Sequence, residues 1–219
     1  MMSEINLLAR YPKHKRNVSA RASAKTPEHI RISRLYGKDY FDGERSFGYG
    51  GYRYDGRWKP IAEDIIKHFS LKPGDRVLDV GCAKGFLVKD LMLVLPGIEA
   101  FGLDISDYAV KHCETEVVGR LHCRSADDLP FPDHSFDAVI SINTLHNLPR
   151  PECIKSLGEI ERVTRSSRAY VQVDSYFTED EKRIFEEWVL TAHTHDFPDG
   201  WRQIFSEAGY RGDYFWTFV

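Results

Sequence analysis
Residues 76–85 read RVLDVGCAKG, a short apolar run that passes at once into a cluster of small residues. The run has the length and β-branched content of a buried strand. The residues after it, FLVKDLMLVL (86–95), put Leu87, Leu91, Val94 and Leu95 on one side of a helix. The same alternation spreads in both directions. Upstream, WKPIAEDIIKHF (58–69) is helical, with Pro60 in its first turn and Ile61, Ile65, Ile66 and Phe69 on one stripe. Downstream, AFGLDI (100–105) reads as strand, SDYAVKHCETEV (106–117) as helix, LHCR (121–124) and FDAVISI (136–142) as strands and PECIKSLGEIERV (151–163) as helix. AYVQVD (169–174) is a further strand, helices are expected at roughly 179–192 and 199–208, and DYFWTFV (213–219) closes the chain as a strand. Strands separated by helices of this length predict an α/β fold, a Rossmann-like, mostly parallel sheet with helices on both faces. Such sheets bind ligands beyond the carboxyl ends of their strands.

The turn Asp79-Val80-Gly81-Cys82-Ala83-Lys84-Gly85 lies at such an end. Small residues at 81, 83 and 85 let a ligand approach the backbone, and the helix that follows begins with unpaired N–H groups. A nicotinamide-binding turn spaces its outer glycines five steps apart; here they are four apart, with an acid two residues before the first. A carboxylate there repels a pyrophosphate and attracts a ligand that carries an ammonium and a sulfonium. S-adenosylmethionine is such a ligand. Asp104 ends the second strand, nineteen residues after Gly85, where an acid accepts hydrogen bonds from ribose hydroxyls; the bland alternative is a cap for the next helix.

The blocks VLDVGCAKG, GLDIS and SADDLPFPDHSFDAVISINTLHNLP, in this order and spacing, resemble the class I S-adenosylmethionine-dependent methyltransferases of the small-molecule type, over about residues 60–175. The resemblance implies that Asp79, Gly81, Cys82, Ala83 and Gly85 surround the methionyl part of the cofactor and that Asp104 takes the ribose. It implies that Ser125, Ala126 and Asp127 border the adenine, with Ile105 packed on the ring, and that Asn143 faces the cofactor. Ala83 departs from the family's usual glycine and Ser125 from a frequent aspartate. The family usually closes with two strands, one antiparallel; only DYFWTFV remains here, so a sheet of six strands is expected in place of the usual seven.

The loop after VISIN carries Asn143 and His146, which the resemblance sets beneath the transferred methyl group. It lacks the proline-proline-aromatic block of nucleic-acid amino methylases, which disfavours a nucleic-acid partner. His146 is a candidate general base, against the alternative of a packed or capping histidine. Residues 46–58, SFGYGGYRYDGRW, are rich in aromatics, glycine and arginine without helical or strand period. They suit a lid over the pocket. Tyr49, Tyr52, Tyr54 and Trp58 would exclude water and face a cation, and Arg53 and Arg57 would bind an acidic group of the acceptor. Tyr49 joins His146 and Asn143 as a candidate at the reacting atoms, and His193 is a candidate on the acceptor side. The pair His193 and His195 beside Asp196 lacks a second cluster with ligand spacing, so no metal site is expected. The YDGRW block resembles methyltransferases associated with bacterial surface-sugar synthesis, which implies a sugar or nucleotide-sugar acceptor. A nicotinamide oxidoreductase and a non-catalytic S-adenosylmethionine-binding module are the rival readings.

Charge divides the chain. Residues 1–35 hold eight Lys/Arg against two acids, net +6, while the whole chain is −3 and the remainder therefore −9. Residues 1–35 read as a basic, flexible arm, 36–59 as the lid segment and 60–219 as the methyltransferase domain. The acidic body argues against a broad nucleic-acid surface. MMSEINLLAR lacks the pattern of a signal peptide, the longest apolar run is too short to span a bilayer, and four cysteines without a CxxC pair suit a cytoplasmic protein. The sequence carries no signal for oligomeric state.

Overall fold
A computed structural model describes residues 2–12 and 17–218. Six strands, β1 (Arg76–Val80), β2 (Glu99–Asp104), β3 (Leu121–Cys123), β4 (Ala138–Ile142), β5 (Ala169–Asp174) and β6 (Asp213–Thr217), form one sheet in the order β3-β2-β1-β4-β5-β6. Every neighbouring pair is parallel. The order reverses between β1 and β4, so the connections leaving these two strands diverge and open a crevice at their carboxyl ends.

The strands are near-continuous apolar runs because both faces are covered. On one face lie α4 (Lys59–Phe69) and α5 (Phe86–Val94). In α4, Ile61, Ala62, Ile65 and Phe69 are buried, the stripe the periodicity predicts. α5 buries all of Phe86–Leu91, so it is embedded rather than amphipathic. On the other face α7 (Arg150–Val163) and α9 (Pro198–Glu207) bring Leu157, Ile160, Trp201 and Phe205 against β4, β5 and β6. Side chains of this size contribute roughly 1.5–3 kcal/mol each on full burial, which fixes the sheet that presents the crevice.

The expected helix 106–117 is divided. α6 (Asp107–Lys111) stops early, and a separate 3-10 turn, Thr115–Val117, follows it and carries Val117 to full burial. α8 (Glu179–Trp188) begins in a capping box between Thr178 and Glu181 and ends before the expected limit of 192.

The first 35 residues do not stand apart as an arm over their described part. The N–H of Ile5 donates to the carbonyl of Tyr214 (2.9 Å), and that of Tyr214 donates to Ser3 (3.1 Å). Residues 3–5 thereby cover the outer edge of β6 in parallel register. Leu7 is buried beside Ile61 and Ile65, and Arg10 pairs with Glu63 and Asp64 of α4. Further on, α1 (Val18–Ala24), α2 (Pro27–Ser33) and α3 (Lys38–Asp42) build a roof over the crevice. Of the charges assigned to the arm, Lys13, Lys15 and Arg16 lie outside the described residues, as does Val219 of the closing strand.

Candidate active site
The chain turns at the end of β1 through three left-handed residues, Gly81 (φ 86°), Ala83 (φ 50°) and Gly85 (φ 77°). A Cβ on Gly81 would fall 1.9 Å from Oγ1 of Thr144, so glycine is required there by close approach as well as by φ. The amides of Gly81 and Cys82 donate to the carbonyl of Leu103 (2.6 and 3.0 Å), and that of Ala83 donates to Oδ2 of Asp104 (2.8 Å). Three N–H groups of the turn are thus directed into the protein. A nicotinamide pyrophosphate needs such groups directed outwards.

Asp79 lies in β1 beneath this turn, 4% exposed. It receives no hydrogen bond among the described residues and lines the crevice. Burial first, then the nearby Asp104 carboxylate, pushes its carboxyl up to about 8. Asp104, at the end of β2, is also buried, which raises its carboxyl. The N–H groups of Ser106 and Ala83, donating to its two oxygens (2.8 Å each), pull the other way. Two carboxylate oxygens provide about four acceptor positions, so Asp104 holds the turn and keeps acceptor capacity toward the crevice.

Two connected cavities fill the crevice. The smaller, about 150 Å³, is bordered by Asp104, Ile105, Ser125, Ala126 and Arg124 on one side and by Tyr36 and Tyr40 of the roof on the other. Ile105 is 56% exposed there, an apolar side chain that faces open space instead of the core. The larger cavity, about 1260 Å³, begins at Asp79, Cys82 and Leu87 and extends beneath α1 and the 46–58 segment. Tyr49, Gly81, Ala83, Ile142 and Asn143 border both. Asn143 is held at φ +53°, uncommon for a residue other than glycine. A chain of side chains fixes its amide: Tyr170 donates to Oε1 of Gln172 (2.7 Å), Gln172 Nε2 to Thr217 (2.8 Å), and Thr217 to Oδ1 of Asn143 (2.6 Å).

The 46–58 segment lies over the turn. Tyr52 stacks on Phe86 at 4.5 Å, and Tyr49 lies 4.3 Å from Tyr52 and 5.7 Å from Phe41. Asp42 joins the layers. It accepts from Lys84 Nζ (2.6 and 2.8 Å), the Tyr108 hydroxyl (2.8 Å) and the Tyr52 N–H (3.2 Å). Burial raises the phenols of Tyr40 and Tyr52, so they remain neutral rings and hydroxyl donors. Tyr49 is 44% exposed and borders both cavities.

A protein-family model described as a methyltransferase domain matches residues 78–170, which span β1 to β5 and include the turn, Asp104 and Asn143. Over this central segment the chain is similar to methyltransferase domains. Curated relatives include the demethylmenaquinone methyltransferases of Geobacillus kaustophilus (31% identical over 62% of this chain and 58% of the relative) and Symbiobacterium thermophilum (28%, over 55% and 50%). The chain spans half to three-fifths of the length of these relatives. A solved S-adenosylmethionine-dependent methyltransferase from Aquifex aeolicus shares the fold over 90% of each chain, with a TM-score of 0.52 at 22% identity.

The structure gathers most of the residues singled out in the sequence. Asp79, Gly81, Cys82, Ala83, Asp104, Ile105, Ser125, Ala126 and Asn143 border the two cavities, as do Tyr49, Tyr52, Arg57 and Trp58. Gly85 stands behind the turn, against Val117 and Leu121. Four expectations are corrected. His146 is 4% exposed and borders neither cavity. Its Nδ1 accepts the Asp174 N–H (3.1 Å) and its Nε2 faces the Asp174 carboxylate at 3.3 Å, so neither nitrogen is open to an acceptor. Burial lowers its pKa, and its carbonyl receives the N–H groups of His193 and Thr194 (2.9 Å each); it positions a loop. Asp127 borders neither cavity and pairs with Lys155 at 3.4 Å. Arg53 is exposed and outside both cavities, and so is the His193 ring. Sequence reasoning missed Thr144, whose hydroxyl and methyl back onto Gly81, and Arg124, Tyr36 and Tyr40 on the smaller cavity. Thr26-Pro27-Glu28, a cap, a first-turn proline and an early acid, was an available signal for the roof helix α2. Among the described residues no group of three or more His, Cys, Asp or Glu side chains is gathered as a metal site would require, and no helix is long and apolar enough to cross a membrane.

Proposed function
We propose that this chain transfers the methyl group of S-adenosylmethionine to a small-molecule acceptor by direct in-line displacement. One observation carries the reading: a buried carboxylate, Asp79, borders the cavity without a hydrogen-bond donor among the described residues, beside a turn whose first three amides are directed inward. Such a site favours an ammonium and offers little to a diphosphate. In the proposal Asp79 takes the amino group of the cofactor, Asp104 accepts the ribose hydroxyls, and Ile105, Ser125 and Ala126 border the adenine. The junction ringed by Tyr49, Gly81, Ala83 and Asn143 is then where the methyl group meets the acceptor.

When bound, the sulfonium supplies an electrophilic methyl carbon and a neutral thioether leaving group. The acceptor's lone pair forms the new bond to carbon, and the carbon–sulfur pair returns to sulfur. The protein's part is alignment and exclusion of water. Asn143, fixed through Thr217 and Gln172, orients whatever polar group lies at the junction, and the aromatic lid closes above it. An acceptor hydroxyl or ammonium releases its proton to water in the larger cavity, since His146 is enclosed.

Small-molecule acceptors are supported by relatives named for demethylmenaquinone and fatty-acid methylation and by a cavity extending well beyond the turn. A sugar or nucleotide-sugar is the finer form of the proposal, motivated by the YDGRW block. The test is incubation of the purified chain with methyl-labelled S-adenosylmethionine and a small-molecule extract. Label in a discrete low-mass product, together with formation of S-adenosylhomocysteine, is expected. A protein that binds the cofactor and releases no product across such extracts would instead be the binding module.

A further inference from the structure
Asn143 borders both cavities, and the strands beneath it decide which end of its amide it presents there. The line of hydrogen bonds starts on β5. Burial raises the Tyr170 phenol, so it keeps its proton, and the Leu7 backbone N–H acts on its oxygen in the opposite sense. An N–H only donates. The phenol oxygen therefore accepts from Leu7, and its own proton goes to Oε1 of Gln172 (2.7 Å). Gln172, 5% exposed, has its Nε2 left for Thr217 (2.8 Å). Thr217 accepts there and gives its hydroxyl proton to Oδ1 of Asn143 (2.6 Å). Each direction is set by the bond before it. Asn143 is left with Nδ2, which has no partner among the described residues, on an exposed side chain.

Acceptors beside Nδ2 are in use. Oδ1 of Asn143 is taken by Thr217, its carbonyl by Asn147 Nδ2 (3.3 Å), and the Ile142 carbonyl by the Thr144 hydroxyl (3.1 Å). Among the described residues, Tyr49 is the one titratable side chain that borders both cavities, and its hydroxyl serves as donor or acceptor alike. A neutral amine has a single lone pair, which attacks the methyl carbon, and N–H groups that need acceptors. An oxyanion has several lone pairs, so one attacks while another accepts from Nδ2. A hydrogen bond to the charged form also lowers the pKa of an acid, which favours an acceptor that ionises without a protein base.

We infer that the methyl group is transferred to oxygen, on an acceptor whose reacting group is a carboxylate, phenolate or enolate held by Nδ2 of Asn143. The inference rests on the methyl-transfer reading and narrows it. An oxygen lone pair forms the bond to carbon and the carbon–sulfur pair returns to sulfur. No proton moves in this step, because the acid has already released its proton to water. A plain sugar hydroxyl is too weak an acid for such a junction, so among sugars the inference selects those that carry a carboxylate. Thr217 and Gln172 are positioning residues, and the N-terminal segment, through Leu7, sets the polarity of the site.

The test supplies the full chain with S-adenosylmethionine carrying a carbon-13 methyl group and with a small-molecule extract, and reads the labelled product by proton–carbon correlation NMR. A methyl carbon on oxygen resonates well downfield of one on nitrogen or carbon, and an O-methyl ester or ether is expected. Thr217→Val frees Asn143 to present either end of its amide. It should lower kcat about tenfold or more, the loss of a hydrogen bond to a charged group, with calorimetric affinity for S-adenosylhomocysteine unchanged. Thr217→Ser, which keeps the hydroxyl, should restore turnover. A labelled methyl on nitrogen or on carbon overturns the inference and leaves methyl transfer standing, and a Thr217→Val protein with parental kcat overturns it equally. The product linkage in the parent chain decides the matter even where the variant fails to fold. Binding of S-adenosylmethionine with no label moved to any product would remove the methyl-transfer reading itself and the inference with it.

Discussion
Replacement of Asp79 by asparagine separates what this carboxylate does for the ligand from what it does to the fold. An unfolded aspartate titrates at about 3.9, whereas burial holds Asp79 near 8. Between those values the folded chain retains a proton that the unfolded chain has released. Stability therefore falls as pH rises, by about 1.36 kcal/mol per pH unit, until the folded carboxyl ionises. The accumulated cost above pH 8 is on the order of 5 kcal/mol. Asparagine carries no such penalty, so unliganded Asp79→Asn should melt higher than the parent at pH 8, by roughly 10–20 °C for a chain of this size, and match it near pH 4. Ligand binding should show the reverse. Losing the charged partner of the ammonium costs about 3 kcal/mol, or roughly a hundredfold in affinity. In the parent, S-adenosylmethionine should bind more tightly from pH 6 towards 8 as Asp79 ionises, then weaken again as an α-amino group of pKa about 8 loses its proton. Differential scanning fluorimetry between pH 4 and 9, with and without ligand, reads both effects. An Asp79→Asn protein with undiminished affinity, or a melting difference that does not change with pH, would refute the argument.

Asp104→Asn should weaken S-adenosylmethionine binding by about 1.5–3 kcal/mol, through loss of a charged hydrogen-bond acceptor; unchanged calorimetric affinity would remove the ribose role. His146→Ala should lower stability by about 2–4 kcal/mol in urea unfolding, as the Asp174 N–H loses its acceptor and a void opens. The pH profile of turnover should stay in place, and a displaced profile would restore the general-base assignment. Asp42→Asn should loosen the lid, since Lys84 is then left without its carboxylate; hydrogen exchange across residues 44–56 should quicken and KM for the cofactor should rise several-fold, whereas unaltered exchange would show that aromatic packing alone holds the lid.

Much of the cofactor side was legible because it rests on local backbone chemistry. A turn that needs positive φ at 81 and 85 announces itself through glycine, and a strand end announces itself where an apolar run stops, as at Asp104. Side chains whose direction depends on distant packing were not legible in this way. His146 lies on a 3-10 turn, and which way its ring points is decided by the Asp174 backbone, 28 residues further on. The SFGYGGYRYDGRW segment read as a lid, but its composition did not show which arginine would reach the cavity: Arg57 does, and Arg53 remains in solvent. The N-terminal residues read as an arm because basic composition obscured the apolar contacts of Leu7 and the edge pairing of Ser3 and Ile5. Edge pairing is made by backbone, which composition does not record. The line of hydrogen bonds from Tyr170 through Gln172 and Thr217 to Asn143 joins separate segments and has no counterpart in any local pattern.

Isothermal titration of the purified chain with S-adenosylmethionine and, in parallel, with NADH tests the central claim most directly. The account predicts saturable binding of S-adenosylmethionine at one site and no heat from NADH; a chain that retains NADH and ignores S-adenosylmethionine would contradict it.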